Sequence, residues 1–462
     1  MFAATWGRGR KIGRGREMLA KTSLHSLAMS SELPGSSAGF PAGQPPSGAP
    51  GGSGPTDAAT PVVGAFYDRF PYPGDPLQDG PPPGYNWRWC VDSARAFAFG
   101  SLPPRDRSGE RPWRILDAGC GTGVSTDYLC HLNPDATVLA VDISEGALEV
   151  ARERLRRSGG AARVRELRME RRSLLELGGE GPFDAINSVG VLHHLARPEA
   201  GLDALARHLA PGGLLHLFLY AEAGRWEIHR TQRALTLLGV GTGQEGLGLG
   251  RQLLAQLPPG NRLRRHHKER WALDTAADAN FADMYLHPQE TSFTVERLLA
   301  FIEGANLRFA GFSNPEVWDP ARLLSGDLLE RARALSPRER WELVETLDPD
   351  ISHFECFVSR EPIERRLWTD DGDLLAAGGE RNRCLWGWPG TALLDPDLRP
   401  MDLEPGDLAL MEAWEEAPSG TPLGSVPLEM GKAERLERAR RLIQQRILLP
   451  VEPGAPRAIG PA

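Results

Sequence analysis

The chain has 462 residues, more than one hydrophobic core usually serves, and 41% of them are apolar, enough to bury two folded units between tails. Its formal net charge of -8 counts against a nucleic-acid binder, which would carry a basic domain or stripe, and no apolar run is long enough to cross a bilayer. Five scattered cysteines, Cys90, Cys120, Cys130, Cys356 and Cys384, lack the spacing of a zinc site or a disulfide framework, so a reducing, cytoplasmic setting is expected.

Residues up to about Thr60 are rich in Gly, Pro, Ser and Ala and are expected to be disordered. Met1 to Lys21 is Arg-rich and nearly free of acids, as in an organelle transit peptide or in sequence upstream of a true start at Met18 or Met29. Residues 61–111 read as an aromatic, Pro-rich lid, from Ala65-Phe66-Tyr67-Asp68-Arg69-Phe70-Pro71-Tyr72-Pro73 to Tyr85–Trp89. Its aromatic faces can attract a cationic ligand, an interaction of about 0.5 to 2 kcal/mol, or can simply brace a sheet.

Arg114 to Asp117 predicts a buried parallel strand, Gly119, Gly121 and Gly123 a sharp turn beneath a ligand, and Val124 to Leu132 the following helix. Thr137 to Val141 predicts a second strand with Asp142 at its carboxyl end, where a carboxylate can accept hydrogen bonds from both ribose hydroxyls of an adenosine. The glycines fall as G-x-G-x-G, with Val124 where a dinucleotide fingerprint has its third glycine. Asp117 would repel a pyrophosphate but suit a ligand carrying an amino group or positive charge. Both departures favour S-adenosylmethionine over a dinucleotide. Cys120 fits the turn as a small polarizable residue and is given no catalytic role.

Val164 to Met169 and Phe183 to Ser188 predict the third and fourth strands, the latter delivering Asn187, Ser188 and Gly190 to the ligand-binding edge. His193 and His194 follow; neighbours on a helix point about 100 degrees apart, so the pair is not expected to chelate one ion, and no metal is assigned. Each is read as structural at the start of the next helix, with a substrate-facing base as the alternative. After the turn Pro211-Gly212-Gly213, Leu214 to Tyr220 predicts a fifth strand releasing Tyr220, Glu222, Arg225, Trp226, Glu227 and His229 into a cleft.

Residues 231–290 are mostly helical in period and predict a substrate cap in which His287 is a candidate for the acceptor side. The run Arg262 to Arg270 reads as a solvated helix face. Phe293 to Ala305 predicts a helix, Arg308 to Phe312 and His353 to Ser359 the last two strands, and residues 315–350 a second helical insertion. From 363 to 450 a small helical or winged-helix-like domain is expected, with helix-like periods over Leu393–Trp414 and Leu436–Leu448, and after it a Pro- and Gly-rich tail.

The ordered set D-A-G-C-G-T-G, A-V-D-I-S, P-F-D-A-I-N-S-V-G-V-L-H-H-L and L-A-P-G-G-L-L-H resembles the class I S-adenosylmethionine-dependent methyltransferases, over about Ala65 to Arg360. Within them the chain is most similar to the small-molecule branch around the quinone-biosynthesis C-methylases. The resemblance implies an α/β fold, a Rossmann-like seven-stranded mixed sheet over 112–362 whose last two strands form an antiparallel hairpin. It implies cofactor contacts from Asp117, Gly119, Gly121, Gly123, Asp142, Ile143, Ser173, Leu174 and Ser188, with Ser173 standing where the family commonly has an acid. It also carries a Tyr-x-x-x-Gly-Arg pattern, Tyr220 to Arg225. The implied reaction is in-line methyl transfer to a small-molecule acceptor, with His194, Tyr220 or Glu222 as a base where the nucleophile is un-ionised. A protein or RNA methyltransferase and a cofactor-binding regulator are the alternatives. The first is opposed by the missing Asn-Pro-Pro-Tyr segment and low basic charge, the second by the polar groups kept around the cleft. A homodimer is compatible with the sequence.

Overall fold

The computed structural model describes residues 60–103, 112–418 and 420–453; the expectations for the two tails lie outside them, apart from residues 451–453. Seven segments pair into one sheet: β1 (Arg114–Ala118), β2 (Thr137–Asp142), β3 (Glu166–Arg171, a largely charged edge strand), β4 (Phe183–Val189), β5 (Leu209–Tyr220), β6 (Arg308–Phe312) and β7 (His353–Ser359). Their order is β3-β2-β1-β4-β5-β7-β6, parallel except for β7, which is antiparallel to both its neighbours. The winding reverses between β1 and β4, so the carboxyl ends of these two strands border the crevice where such sheets take ligands.

Helices α1 (Thr60–Arg69) and α2 (Val91–Phe99) precede the sheet, and α3 (Val124–Leu132), α4 (Glu145–Ser158) and α5 (Pro198–His208) connect its parallel strands. A helical cap follows β5: α6 (Trp226–Leu237), α7 (Gln244–Gln256), α8 (Arg262–His266) and α9 (Asp278–Leu286). After it, α10 (Val295–Gly304) leads into β6, while α11 (Gly326–Ala334) and α12 (Pro337–Leu347) separate β6 from β7. Leu202 and Leu205 of α5 and Leu298 and Ile302 of α10 join one core with Leu116, Ile186, Leu217 and Val358 of the sheet, all of them buried. Each such side chain contributes about 1.5 to 3 kcal/mol by leaving water. No helix among the described residues is long and apolar enough to cross a membrane.

The structure departs from the sequence reading in four places, the first being β3, which runs Glu166–Arg171 where the sequence predicts Val164 to Met169. Strand β5 begins at Leu209, ahead of the expected turn, because Pro211-Gly212-Gly213 is absorbed as an irregularity in the β4–β5 register. The segment Trp87–Trp89, expected in the lid, is packed as a seam: the Trp87 ring packs at a tilt against Phe97 and Phe357, and Trp89 against Tyr128. The carboxyl-terminal region is not simply helical. Strands β8 (Gly378–Arg381), β9 (Ala392–Leu394), β10 (Pro400–Asp402) and β11 (Leu448–Val451) form two antiparallel ribbons beside α13 (Asp371–Ala376), α14 (Pro405–Glu416) and α15 (Lys432–Gln444). The helical period read from Leu393 is broken by Asp395, whose carboxylate accepts from the backbone N–H of Asp397 (2.8 Å) and Arg399 (2.9 Å) and so favours a turn. The region has its own core around Leu374, Leu410, Met411, Trp414, Leu436 and Leu442. It is tied to the seam by Tyr85 Oη, which donates to the carbonyls of Leu394 and Asp395, and by Trp87 Nε1, which donates to Asp397.

A chain of buried polar contacts crosses the middle of the sheet. Arg88 pairs with Glu355 of β7 (2.7 Å), and His216 of β5 has one ring nitrogen 3.2 Å from Glu355 and the other 2.9 Å from Asn187 Oδ1 of β4. Trp89 Nε1 donates to the same oxygen (3.0 Å), and the Asn187 amide in turn donates to Asp117 of β1 (2.8 Å). Burial works against the charged form of Glu355, but Arg88 and His216 together outweigh it and hold its carboxyl down from 4.5 to about 2. A depressed carboxyl contributes stability that is present above its unfolded value and is lost as pH falls through the folded one. Here that window runs from about pH 4.5 to 2 and is worth about 3 kcal/mol. Urea unfolding of the wild type and Glu355→Gln at pH 6 and pH 3 should show this: the wild type loses about 2 kcal/mol of that extra stability by pH 3, the rest going as pH falls through 2, and the variant loses none of it. Equal losses in both would show that Glu355 is not held this way.

Candidate active site

The glycine turn is built by backbone geometry that only glycine tolerates well. Gly119, Gly121 and Gly123 have φ of 84, 52 and 80 degrees, and a Cβ on Gly121 would come within 2.3 Å of the Tyr72 carbonyl oxygen. That closeness exists because the segment after α1 is stitched onto the turn: Thr122 N–H donates to Tyr72 O (3.0 Å) and Thr122 Oγ1 to Pro73 O (2.7 Å). Asp142 accepts from Gly121 N–H (2.8 Å) and Ser144 N–H (2.9 Å), and Ser144 caps α4 through Ala147 N–H. Two N–H donors leave half of the lone-pair directions of the Asp142 carboxylate open to a ligand's hydroxyls. At the end of β4, Ser188 Oγ is buried with no partner, and Gly190, at φ 76 degrees, has nothing within 4 Å of where a Cβ would stand. An open crevice edged by a free hydroxyl, a carboxylate and a glycine turn fits an adenosyl group.

Several residues expected at the cofactor also have structural partners within the protein. Asp117 is fully buried, and its carboxylate accepts from Ser125 (2.7 Å), Thr126 (2.6 Å) and Asn187 (2.8 Å), so it fastens β1 to α3 and β4 instead of facing a ligand's charge. Burial pushes its carboxyl up, which these donors partly offset. Ser173 caps a short turn through Leu175 N–H (3.2 Å), and Leu174 is in the main core. Ile143 lies beside α1, near Gly64. Burial raises the Cys120 thiol well above its ordinary value, in line with a turn-filling residue.

A second cluster lies beside the turn, held by the cap and by the first segment. Asp283 of α9, 3% exposed, accepts from Tyr67 Oη (2.8 Å) on one carboxylate oxygen and from Tyr220 Oη (3.2 Å) on the other. The Tyr220 ring is sandwiched between His193, stacked at 3.8 Å, and the Arg225 guanidinium at 3.5 Å. Arg225 forms a buried two-bonded pair with Glu290 (2.9 and 2.8 Å), which His229 also contacts. The Tyr-x-x-x-Gly-Arg pattern is thereby explained: Gly224 passes within 2.3 Å of the Ile351 carbonyl, counted from a Cβ, and Arg225 turns back over Tyr220. Next to Asp283 stand His194, its Nε2 3.9 Å from Asp283 Oδ1, and His287, whose ring centroid is 3.7 Å from that of His194. One donor atom each of His194, Asp283 and His287 lies within 4.8 Å of the others.

These positions revise the list of candidate bases. Burial, and the charge of Asp283 next, push the Tyr220 hydroxyl well above its ordinary value, so it remains a donor to Asp283 and is not a base. Glu222 is exposed and faces Arg297 (3.9 Å) outside the cluster, because the chain turns outward at the end of β5. His194 is inside it. Sequence reasoning missed Asp283, Glu290 and the hydroxyl of Tyr67. The one signal was an acid in the apolar run Phe281-Ala282-Asp283-Met284-Tyr285-Leu286, which a buried helix tolerates only with donors at hand. The basic residues Arg262 and Arg270 are spent on Glu227 and Asp350.

The fold and this crevice define a Rossmann-like transferase that binds an adenosyl group. A methyltransferase-domain family profile matches residues 116–215. An uncharacterized protein of Synechococcus sp. is 48% identical over 398 residues, 85% of this chain and 94% of that one. The ubiquinone biosynthesis O-methyltransferase of Caulobacter sp. is 32% identical over 159 residues, 34% of this chain and 55% of that one. The solved structure of PKMT2 from Rickettsia typhi superposes with a TM-score of 0.52 at 17% identity, covering 80% of this chain and 77% of that one, which is a likeness of fold alone. The chain belongs to the class I S-adenosylmethionine-dependent methyltransferases, and S-adenosylmethionine is its cofactor.

The two glycines at the crevice should respond differently to a methyl group. Gly121→Ala combines positive φ with a backbone clash, whereas Gly190→Ala meets open space and carries only the conformational penalty, about 1 to 2 kcal/mol. Thermal unfolding should therefore place Gly121→Ala well below Gly190→Ala in midpoint; the reverse order would mean that Tyr72 does not press on the turn.

Proposed function

We propose that this protein transfers a methyl group from S-adenosylmethionine to a small-molecule acceptor bound between the glycine turn and the helical cap. The observation that carries this reading is the group of buried His194 and Asp283 with half-buried His287 beside the stitched turn, roofed by the ring of Tyr67. Curated relatives named for small-molecule acceptors, among them a trans-aconitate 2-methyltransferase of Deinococcus radiodurans at 36% identity over 32% of this chain, support the acceptor class.

When bound, S-adenosylmethionine supplies a methyl group activated by a sulfonium centre. Asp142 would hold the ribose hydroxyls, Ser188 and the backbone of Gly119, Gly121 and Gly123 would line the rest of the cofactor, and Ile143 would flank it. The enclosed cap excludes water and fixes the acceptor, and orientation of two bound reactants is worth about 7 to 11 kcal/mol. His194 takes the acceptor's proton. Its Nδ1 lies 2.9 Å from the Gln289 carbonyl, which can only accept, so Nδ1 carries the hydrogen and Nε2 presents a lone pair. Asp283 next to that nitrogen stabilises the imidazolium that results, and Tyr67 and Tyr220 keep Asp283 in place.

Calorimetric titration with S-adenosylhomocysteine tests the cofactor half of this assignment: Asp142→Ala should weaken binding by tenfold or more, and Tyr220→Phe should bind normally. Unchanged affinity in Asp142→Ala would remove the carboxylate from the site. Methyl transfer, once an acceptor is in hand, should fall about 10²- to 10⁴-fold in His194→Ala, the usual worth of a general base, with S-adenosylhomocysteine affinity preserved.

A further inference from the structure

The Gln289 peptide sets two histidines in opposite proton states. Its carbonyl accepts from His194 Nδ1 (2.9 Å), and its N–H donates to His287 Nδ1 (3.1 Å). His194 therefore turns a lone pair inward at Nε2. His287, with Nδ1 used as an acceptor, carries its hydrogen on Nε2, and that atom is buried with no partner. Burial holds His287 well below its ordinary basicity, so the ring stays neutral. His194 Nε2 stands 3.9 Å from Asp283, and one ligand atom each of His194, Asp283 and His287 lies within 4.8 Å of the others, so the lone pair of His194, the carboxylate of Asp283 and the unused N–H of His287 belong to one cluster.

Few chemical groups complete that set. A divalent ion needs a lone pair from every ligand, and His287 Nε2 offers a hydrogen instead. A carboxylate acceptor would meet the Asp283 charge in a site with 3% exposure, where like charges repel strongly. An ammonium has hydrogens for His194 and Asp283 but nothing for the His287 N–H. A hydroxyl has both a hydrogen to give and lone pairs to receive.

We infer that the accepting atom is the oxygen of a neutral hydroxyl, of an alcohol, phenol or enol, which donates to His194 Nε2 and accepts from His287 Nε2–H. The inference rests on the methyltransferase reading above. The hydroxyl proton passes to His194 Nε2 while the oxygen's electron pair forms the new bond to the methyl carbon. The electrons of the broken carbon–sulfur bond leave on sulfur as a neutral thioether, and the His194 imidazolium stands against Asp283. His287 holds the oxygen in place and stabilises the negative charge that develops on it, the work of an oxyanion donor.

The full chain, saturated with S-adenosylhomocysteine and labelled with ¹⁵N at histidine, reports both tautomers by long-range proton–nitrogen spectra. His194 should appear with hydrogen on Nδ1 and His287 with hydrogen on Nε2. Phenol should shift the Nε2 signals of both rings, and benzoate or benzylamine at the same concentration should not. The phenol response should vanish in His287→Phe and return in His287→Gln, whose amide keeps an N–H. A Nδ1–H tautomer at His287, a larger response to benzoate than to phenol, or micromolar zinc binding lost in His287→Phe would overturn the inference while leaving the methyltransferase assignment intact. Failure to bind S-adenosylhomocysteine at all would instead overturn the assignment itself.

Discussion

A carboxylate sealed inside a sheet must be given donors, and the structure depends on how Asp117 is given them. Ser125, Thr126 and Asn187 supply its hydrogen bonds from α3 and β4, and in doing so they fix where the chain leaves β1 and where the glycine turn begins. Asn187 can serve because its oxygen is held in turn by Trp89 and His216, and His216 is held by Glu355. The crevice for the cofactor is thus braced from behind by a line of polar groups reaching across β4, β5 and β7 to Arg88. Inside a low-dielectric core such a line stabilises only when every member is satisfied.

The same rule shapes the acceptor side. Asp283 and Glu290 are buried acids, and each is answered: the first by two tyrosine hydroxyls, the second by Arg225, His229 and Gln232. Tyr67 comes from the first helix, Tyr220 from the end of β5 and Asp283 from the cap, so the three parts of the chain that enclose the cleft are joined at one carboxylate. The seam at Tyr85 to Trp89 plays a comparable part on the other side, joining the sheet to the carboxyl-terminal unit through aromatic packing and donors to Leu394, Asp395 and Asp397.

Strands β1, β2, β4, β6 and β7 and most of the helices were legible in the sequence because short apolar runs and helical periods report burial directly. The glycine turn was legible because its spacing is a backbone requirement, as the positive φ at Gly119, Gly121 and Gly123 shows. The start of β5 and the ribbon at β9 and β10 were not. Both hinge on local irregularities, Pro211-Gly212-Gly213 in one case and the Asp395 turn in the other, that are settled by which neighbouring strand is available. Glu222 looked as plausible as His194 from its place after a strand, and only the outward turn of the backbone separates the exposed acid from the buried imidazole.

By itself the sequence determined the family, the seven-stranded mixed sheet and the cofactor, since these rest on contiguous motifs whose chemistry is local. Tertiary structure alone decided the inward role of Asp117, the union of Tyr67, Tyr220 and Asp283, and the opposed hydrogen positions of His194 and His287. Each of them includes a partner 63 to 216 residues away, beside the local contacts of Ser125 and Thr126 to Asp117 and of Gln289 N–H to His287. No pattern along a chain records which donor a folded backbone will bring to which acceptor.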